Sequence, residues 1–276
     1  MKFFVIGNPI EHSLSPVIHN FWLKQNNLSH TYVKKRLTED GLKNFINNIR
    51  KDEFGGANIT IPFKESLFKH VDKSDETAQK CGAINTIYKQ DNLIIGTNTD
   101  GSGFLMSLKK DCNFKIKNKK VYVIGAGGAS RGIIYSLLQA KSGNITIVNR
   151  SLNKAEELLK NFKHNEPTLL SYQKWEERKI PNDTDLVINT TSVGMKKPES
   201  LDLHLKSLEK NVLIYDIVYA PHKTDMLSIA EKYGLKTQNG LSMLVRQAAE
   251  SFFKWFRIYP SEKQILQVSN ILKEKI

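Results

Sequence analysis

The sequence predicts an α/β protein of two domains, the second built on a parallel sheet wound with helices. Three observations predict this. Strand-like and helix-like patterns alternate along most of the 276 residues. In mid-chain, a short apolar run, a glycine turn and an amphipathic stretch follow one another from Val121 to Gly132 (VYVIGAGGASRG). Further on, Asp185–Asn189 and Val212–Asp216 are continuous apolar runs, the pattern of parallel strands buried on both faces.

Lys2–Ile6 is the first strand candidate. Pro16–Asn26 reads as a helix, with Pro16 at its first position and Ser15 as N-cap. Thr31–Arg36 reads as a strand, Glu39–Arg50 as a helix and Ala57–Ile61 as a strand, and Pro62 opens another helix through His70. Ala83–Tyr88 and Leu93–Gly96 suit a hairpin around Gln90–Asn92. The second series runs strand 121–124, helix 129–140, strand 144–148, helix 153–162 and a strand near Thr168–Ser171. The two apolar runs and a short strand at Leu235–Gln238 complete its sheet. Ser242–Phe256 is a helix apolar around most of its circumference, so it is buried against more than one neighbour and is expected to return to the first domain. The expected organisation is a domain at 1–100, a second at 101–240, and helices at 241–276 packing back on the first.

Composition is that of an ordinary globular chain, without low-complexity tracts or internal repeats. The apolar run Phe3–Ile6 is too short for a signal-peptide core, and no run approaches the roughly 18 residues of a membrane span. Cys81 and Cys112 fit no metal spacing and suggest reduced thiols. A cytoplasmic protein with no metal and no membrane partner is expected. The net charge of +13 comes from 34 lysines and 7 arginines scattered through every segment. Nucleic-acid readers cluster their basic residues and interleave aromatics, so no nucleic-acid partner is expected, although the excess charge suits steering of small anions. No exposed strip reads as an interface, and a homodimer stays open.

The glycine turn is the first functional signal. Gly125 permits the tight turn, and Gly127 lets backbone approach a pyrophosphate at the N-terminus of the following helix. The next strand ends in Asn149-Arg150-Ser151, with Lys154 close behind. An acidic residue there would suit the ribose 2′-hydroxyl of NAD, whereas Arg suits a 2′-phosphate; the expectation is a Rossmann-like domain for NADP. Taken alone, Arg150 is also compatible with a solvated arginine after a strand. The first domain carries polar residues in turns: Ser13 and Ser15, Asn58 and Thr60 leading to Lys64, Asn85, and Asn98–Asp100. Together they offer donors and acceptors to a small, polyhydroxylated anion.

These segments resemble, in order and over nearly the whole length, the signatures of the shikimate dehydrogenase family: Gly7–Pro16 (GNPIEHSLSP), Gly56–Lys64 (GANITIPFK), Gly82–Thr86 (GAINT), Asn98–Gly101 (NTDG), Gly125–Gly132, Asn149-Arg150 and Gly240–Ala249 (GLSMLVRQAA). The resemblance implies that Ser13 and Ser15 hold a substrate carboxylate, and that Asn58, Thr60, Asn85, Tyr219 and Gln247 bind the rest of the molecule. It implies that Lys64 and Asp100 meet at the reacting oxygen, as proton donor and orienting partner. On the cofactor side it implies Gly125, Ala126, Gly127, Gly128 and Ala129 at the pyrophosphate. Asn149, Arg150, Ser151 and Lys154 would surround the adenine ribose and its phosphate, Ile217 and Gly240 would line the nicotinamide, and Glu76 would stand near the cofactor. Lys154 replaces the Arg of many relatives, which implies somewhat weaker phosphate binding.

The implied activity is NADP-dependent, reversible reduction of 3-dehydroshikimate to shikimate, within chorismate and aromatic amino-acid biosynthesis. A quinate/shikimate dehydrogenase with relaxed cofactor use is the alternative; that subgroup often has Thr at the position of Ser15. The motifs of methylenetetrahydrofolate-type dehydrogenases are not those present. A non-catalytic dinucleotide-binding module would lack Lys64 or Asp100, and both are here.

Overall fold

Residues 1–162, 170–195 and 200–276 are described by the computed structural model. It divides into two compact units, one of Met1–Gly103 with Leu244–Lys275, the other of Phe104–Met243 with Ile276. The first contains β1 (Lys2–Gly7), α1 (Ser15–Gln25), β2 (Thr31–Arg36), α2 (Glu39–Arg50), β3 (Phe54–Ile59), β4 (Lys73–Ser74), α3 (Glu76–Cys81), β5 (Thr86–Gln90), β6 (Leu93–Thr97) and the start of α4 (Asp100–Lys110). Its sheet has the order β2-β1-β3-β5-β6-β4. β1, β2 and β3 are parallel, while β5 runs against β3 and β6 against β5. The ends of β1, β2, β3 and β6 and the start of β5 therefore share one sheet edge, and the polar turns named above all lie there. Phe4, Ile6, Leu42, Ile49, Ala57, Ile59, Ile84 and Ile87 fill the core beneath.

The first-domain expectations hold for β1, β2 and α2 and need correcting elsewhere. Ser15 is not the N-cap of α1; Leu14 is, and Ser15 opens the helix. The Ser13 hydroxyl instead accepts from the Ser15 amide at 3.3 Å. β3 ends at Ile59 rather than Ile61. Pro62–His70 forms only a 3-10 turn at Ser66–Lys69, because the Lys64 carbonyl accepts from the Ile84 amide at 2.8 Å instead of closing a helical bond. The hairpin stands at β5 and β6, closed by Asp91 and Asn92, both at positive φ (50° and 62°), as a two-residue primed turn requires. Helices α3 and α4 were not foreseen.

The second unit holds the rest of α4 and then β7 (Val121–Ile124), α5 (Gly128–Gln139), β8 (Ile145–Asn149), α6 (Leu152–Phe162), β9 (Leu170–Lys174), β10 (Leu186–Asn189), β11 (Leu213–Asp216), α7 (Asp225–Lys232) and β12 (Lys236–Gln238). Thr168 and Leu169 of the expected fifth element lie outside the described residues. All pairs are parallel in the order β12-β11-β10-β7-β8-β9. This is the doubly wound order, whose direction reverses between β7 and β10, the place where such sheets bind ligands. Val187, Ile214 and Tyr122 are buried at its centre.

Two helices close the chain, α8 (Leu241–Phe256) and α9 (Glu262–Lys273). Val245, Ala248, Ala249 and Phe252 of α8 are fully buried, and Trp255 donates its indole N–H to the Ile87 carbonyl at 3.0 Å. Ser261 and Gln264 form a reciprocal capping box that starts α9. No helix among the described residues is long and apolar enough to cross a membrane.

Candidate active site

Lys64 and Asp100 meet at the polar edge of the first sheet. Lys64 Nζ donates to Asp100 Oδ2 at 2.6 Å, with side chains only 15% and 7% exposed. Asp100 opens α4, and its backbone N–H donates to Asn98 Oδ1 at 3.0 Å. Asn85 Nδ2 donates to the other carboxylate oxygen at 2.8 Å. The carboxylate is thus held from two sides. An ammonium has three protons to give, and Asp100 is the one hydrogen-bond partner of Lys64 Nζ among the described residues.

Gln247 comes from α8. Its Oε1 lies 3.3 Å from Asn85 Nδ2, and its Nε2 donates to the Leu244 carbonyl at 2.8 Å, leaving one N–H unspent. Asn85 is saturated: its oxygen accepts from the Thr99 amide at 2.8 Å and from the Thr86 hydroxyl at 3.0 Å. Asn58 Nδ2 donates to Thr86 Oγ1 and Ser251 Oγ at 3.0 and 2.9 Å, and its Oδ1 accepts from the Tyr32 hydroxyl at 2.6 Å. Thr86 and Ser251 have acceptors of their own in Asn85 Oδ1 and the Gln247 carbonyl. Asn58 therefore has only an oxygen lone pair left for a ligand.

Ser13 and Ser15 stand side by side, the Ser13 hydroxyl donating to Ser15 Oγ at 3.2 Å. Thr60 packs on Gly7, where an added Cβ would come within 2.4 Å of its methyl group. Behind this layer, Tyr32 stacks on His19 with ring centroids 4.2 Å apart. Burial raises the Tyr32 pKa well above its ordinary value, so it remains a phenol, and the Ser15 hydroxyl is its other polar neighbour. Burial pushes His19 down to about 3, leaving it neutral. Burial likewise holds the nearby Cys81 as a thiol, up at about 12, with Asp100 adding to the effect.

The first unit thus holds Ser13, Ser15, Asn58, Thr60, Lys64, Asn85, Asp100 and Gln247, most of them in or beside the turns at one end of its sheet and Gln247 on α8. Sequence reasoning missed Tyr32, Thr86, Thr99 and Ser251, which link these groups. Ser251 had a usable signal, four residues after Gln247 on the same helix face; Tyr32 stands in no motif. Glu76 is an exposed residue in the first turn of α3.

The remaining expected residues, Tyr219 among them, belong to the second unit. Gly125 has φ +109° and leaves no room for a Cβ beside Thr190 Oγ1, 2.6 Å away. A Cβ on Gly127 would meet nothing within 4 Å. Gly127 is the N-cap of α5, whose first turn carries no acidic residue and no side-chain cap. Open space over uncapped backbone N–H groups fits a pyrophosphate. Arg150, Ser151 and Lys154 are exposed beyond β8, and Asn149 Nδ2 donates to the Ser151 carbonyl at 2.8 Å, shaping that turn. Ile217 and Gly240 are pressed together, since a Cβ on Gly240 would fall 1.9 Å from the Ile217 carbonyl oxygen.

A model of the shikimate dehydrogenase substrate binding domain matches residues 5–87, and one of shikimate / quinate 5-dehydrogenase matches residues 107–221. The shikimate dehydrogenase (NADP(+)) of Pelagibacter ubique is 42% identical to this chain, over 94% of each sequence. The crystal structure of Listeria monocytogenes shikimate 5-dehydrogenase, in complex with shikimate and NAD, superposes with a TM-score of 0.90 at 30% identity, covering 98% of this chain and 96% of that one. The ligand-free 5-ketofructose reductase of a Gluconobacter strain superposes with a TM-score of 0.89 at 28% identity, covering 99% and 98%. Matches through both compact units, with 42% identity sustained over 94% of the chain, mean that the chain belongs to the shikimate dehydrogenase family.

Proposed function

We propose that this protein is an NADP-dependent shikimate dehydrogenase, catalysing the reversible reduction of 3-dehydroshikimate to shikimate on the cytoplasmic route to chorismate and the aromatic amino acids. The observation that carries the reaction is the enclosed 2.6 Å contact between Lys64 and Asp100. The glycine loop over the N-terminus of α5, with Arg150 and Lys154 beyond β8, supports NADP as the cofactor. When bound, the nicotinamide supplies the hydride for reduction and takes it back in oxidation.

Reducing a ketone creates an alkoxide that must be protonated as it forms. Lys64 gives that proton and recovers it in the reverse direction. Asp100, anchored by Asn85, orients the reacting hydroxyl and keeps Lys64 aimed at it. Ser13 and Ser15 turn their hydroxyls to the substrate carboxylate, Asn58 accepts from a ring hydroxyl, and Gln247 donates its unspent N–H. Tyr219 contributes a further substrate contact. Because a 5-ketofructose reductase shares the fold, the side chains of the site rather than the fold select the substrate.

Steady-state kinetics of Lys64→Ala and Asp100→Asn test this. A general acid–base role predicts a fall in kcat of about 10²- to 10⁴-fold with smaller changes in KM. Near-normal kcat in folded Lys64→Ala would sink the assignment. Following absorbance at 340 nm with shikimate or quinate, each against NADP or NAD, separates strict shikimate use from the relaxed alternative.

A further inference from the structure

β2 is an edge strand, and its side chains at 32, 34 and 36 alternate onto one face. Tyr32 lies at the buried end of that row, bound to Asn58. The other two reach the turn that carries Ser13. Lys34 Nζ donates to the Glu11 carbonyl at 2.5 Å, and Arg36 Nε donates to Asn8 Oδ1 at 2.8 Å. The parallel register pairs Arg36 with Gly7, so the strand's end runs beside the start of this turn. A bond from the Ser13 amide to the Ile10 carbonyl at 3.1 Å closes it, with Glu11 inside.

The charges are unevenly matched. Arg36 has Glu11 as a partner at 3.7 Å. Backbone N–H groups hold the Glu11 carboxyl below its ordinary range, so it opposes Arg36 in full. Among the described residues Lys34 has only a carbonyl partner, and no carboxylate within ion-pair distance offsets its positive charge. Cations also discourage pairing at a sheet edge. That role would be met anywhere along β2, and Asn20 already serves it, occupying both the N–H and the C=O of Tyr32 at 2.9 and 2.8 Å. Lys34 and Arg36 instead sit at the end of the strand where the two serines are presented.

We propose that Lys34 and Arg36 are positioning residues for the Ser13–Ser15 turn, and that the field of Lys34 draws an anionic, carboxylate-bearing substrate to it. This rests on the reading of Ser13 and Ser15 as the carboxylate site. Exposed charges act over about a Debye length, 8–10 Å at ordinary ionic strength, so the effect is sensitive to salt.

The test compares wild type with Lys34→Met and Arg36→Gln at saturating NADP. Each variant is expected to raise KM for shikimate about three- to tenfold, with kcat and the KM for NADP within about twofold of wild type. The fall of kcat/KM with ionic strength becomes shallower in Lys34→Met, and Lys34→Arg restores both KM and salt response. Absence of shikimate turnover in the wild type itself would remove the functional reading, and this proposal with it. An active wild type with an unchanged KM in Lys34→Met overturns the proposal alone. So does a raised KM with wild-type salt dependence, since packing would then account for the loss.

Discussion

Asp216 is a carboxylate only 1% exposed at the end of β11. Asn189 Nδ2 and the Val218 amide donate to one of its oxygens at 2.9 and 3.0 Å, and the Thr224 hydroxyl donates to the other at 2.7 Å. Burial outweighs these donors and lifts its pKa from 3.8 to about 6. The folded protein therefore binds this proton more tightly than the unfolded chain. The associated stability is complete below the unfolded value of 3.8 and is lost as pH rises through about 6. Urea unfolding at pH 4.5 and 7.5 should show wild type losing about 2 kcal/mol more than Asp216→Asn over that interval. Parallel losses in the two proteins would contradict it. The sequence placed Asp216 at the end of a buried strand, but not its donors, which come from β10, the turn after β11 and the residue before α7.

Among the elements, α4 and α8 show how backbone contact builds the site. Gly103 of α4 lies against Gln247, and an added Cβ would stand 2.6 Å from both the Gln247 amide nitrogen and its Cβ. Gly103→Ala should force the helices apart at the residue that touches Asn85. Overpacking of this kind costs about 1–3 kcal/mol. A lowered thermal midpoint with a raised KM for shikimate is expected, and an unchanged midpoint would show that the helices separate freely. The apolar circumference of α8 made that helix legible in the sequence, since burial on several sides demands it. α4 was not legible, as Asp100-Gly101-Ser102-Gly103 reads locally as a loop and becomes helical where Phe104 and Leu108 find a core. The opposite error arose at Pro62–His70, where Pro62 read as a helix start but the Lys64 carbonyl is taken by the Ile84 amide.

At the scale of the whole molecule, cofactor binding is linked to folding. A ligand bound only by the native state stabilises it by about 2.7 kcal/mol at one hundred times its dissociation constant. NADP should therefore raise the unfolding midpoint more than NAD does at equal concentration, and Arg150→Asp should erase or reverse the difference. Equal shifts in wild type would deny Arg150 a role at the 2′-phosphate. The sequence was sufficient for most of the strands, the parallel character of the second sheet and the family motifs, because periodicity, glycine turns and strand-end residues are local signals. How the polar groups share their hydrogen bonds depended on the tertiary structure. Asn58 and Ser251 are 193 residues apart in the chain, yet together they leave Asn58 only an acceptor to offer. Lys34 and Arg36 look like any solvated basic run until β2 pairs with β1 and brings them to the serine turn. Such roles follow from which distant groups are brought within about 3 Å, a quantity that local pattern does not contain.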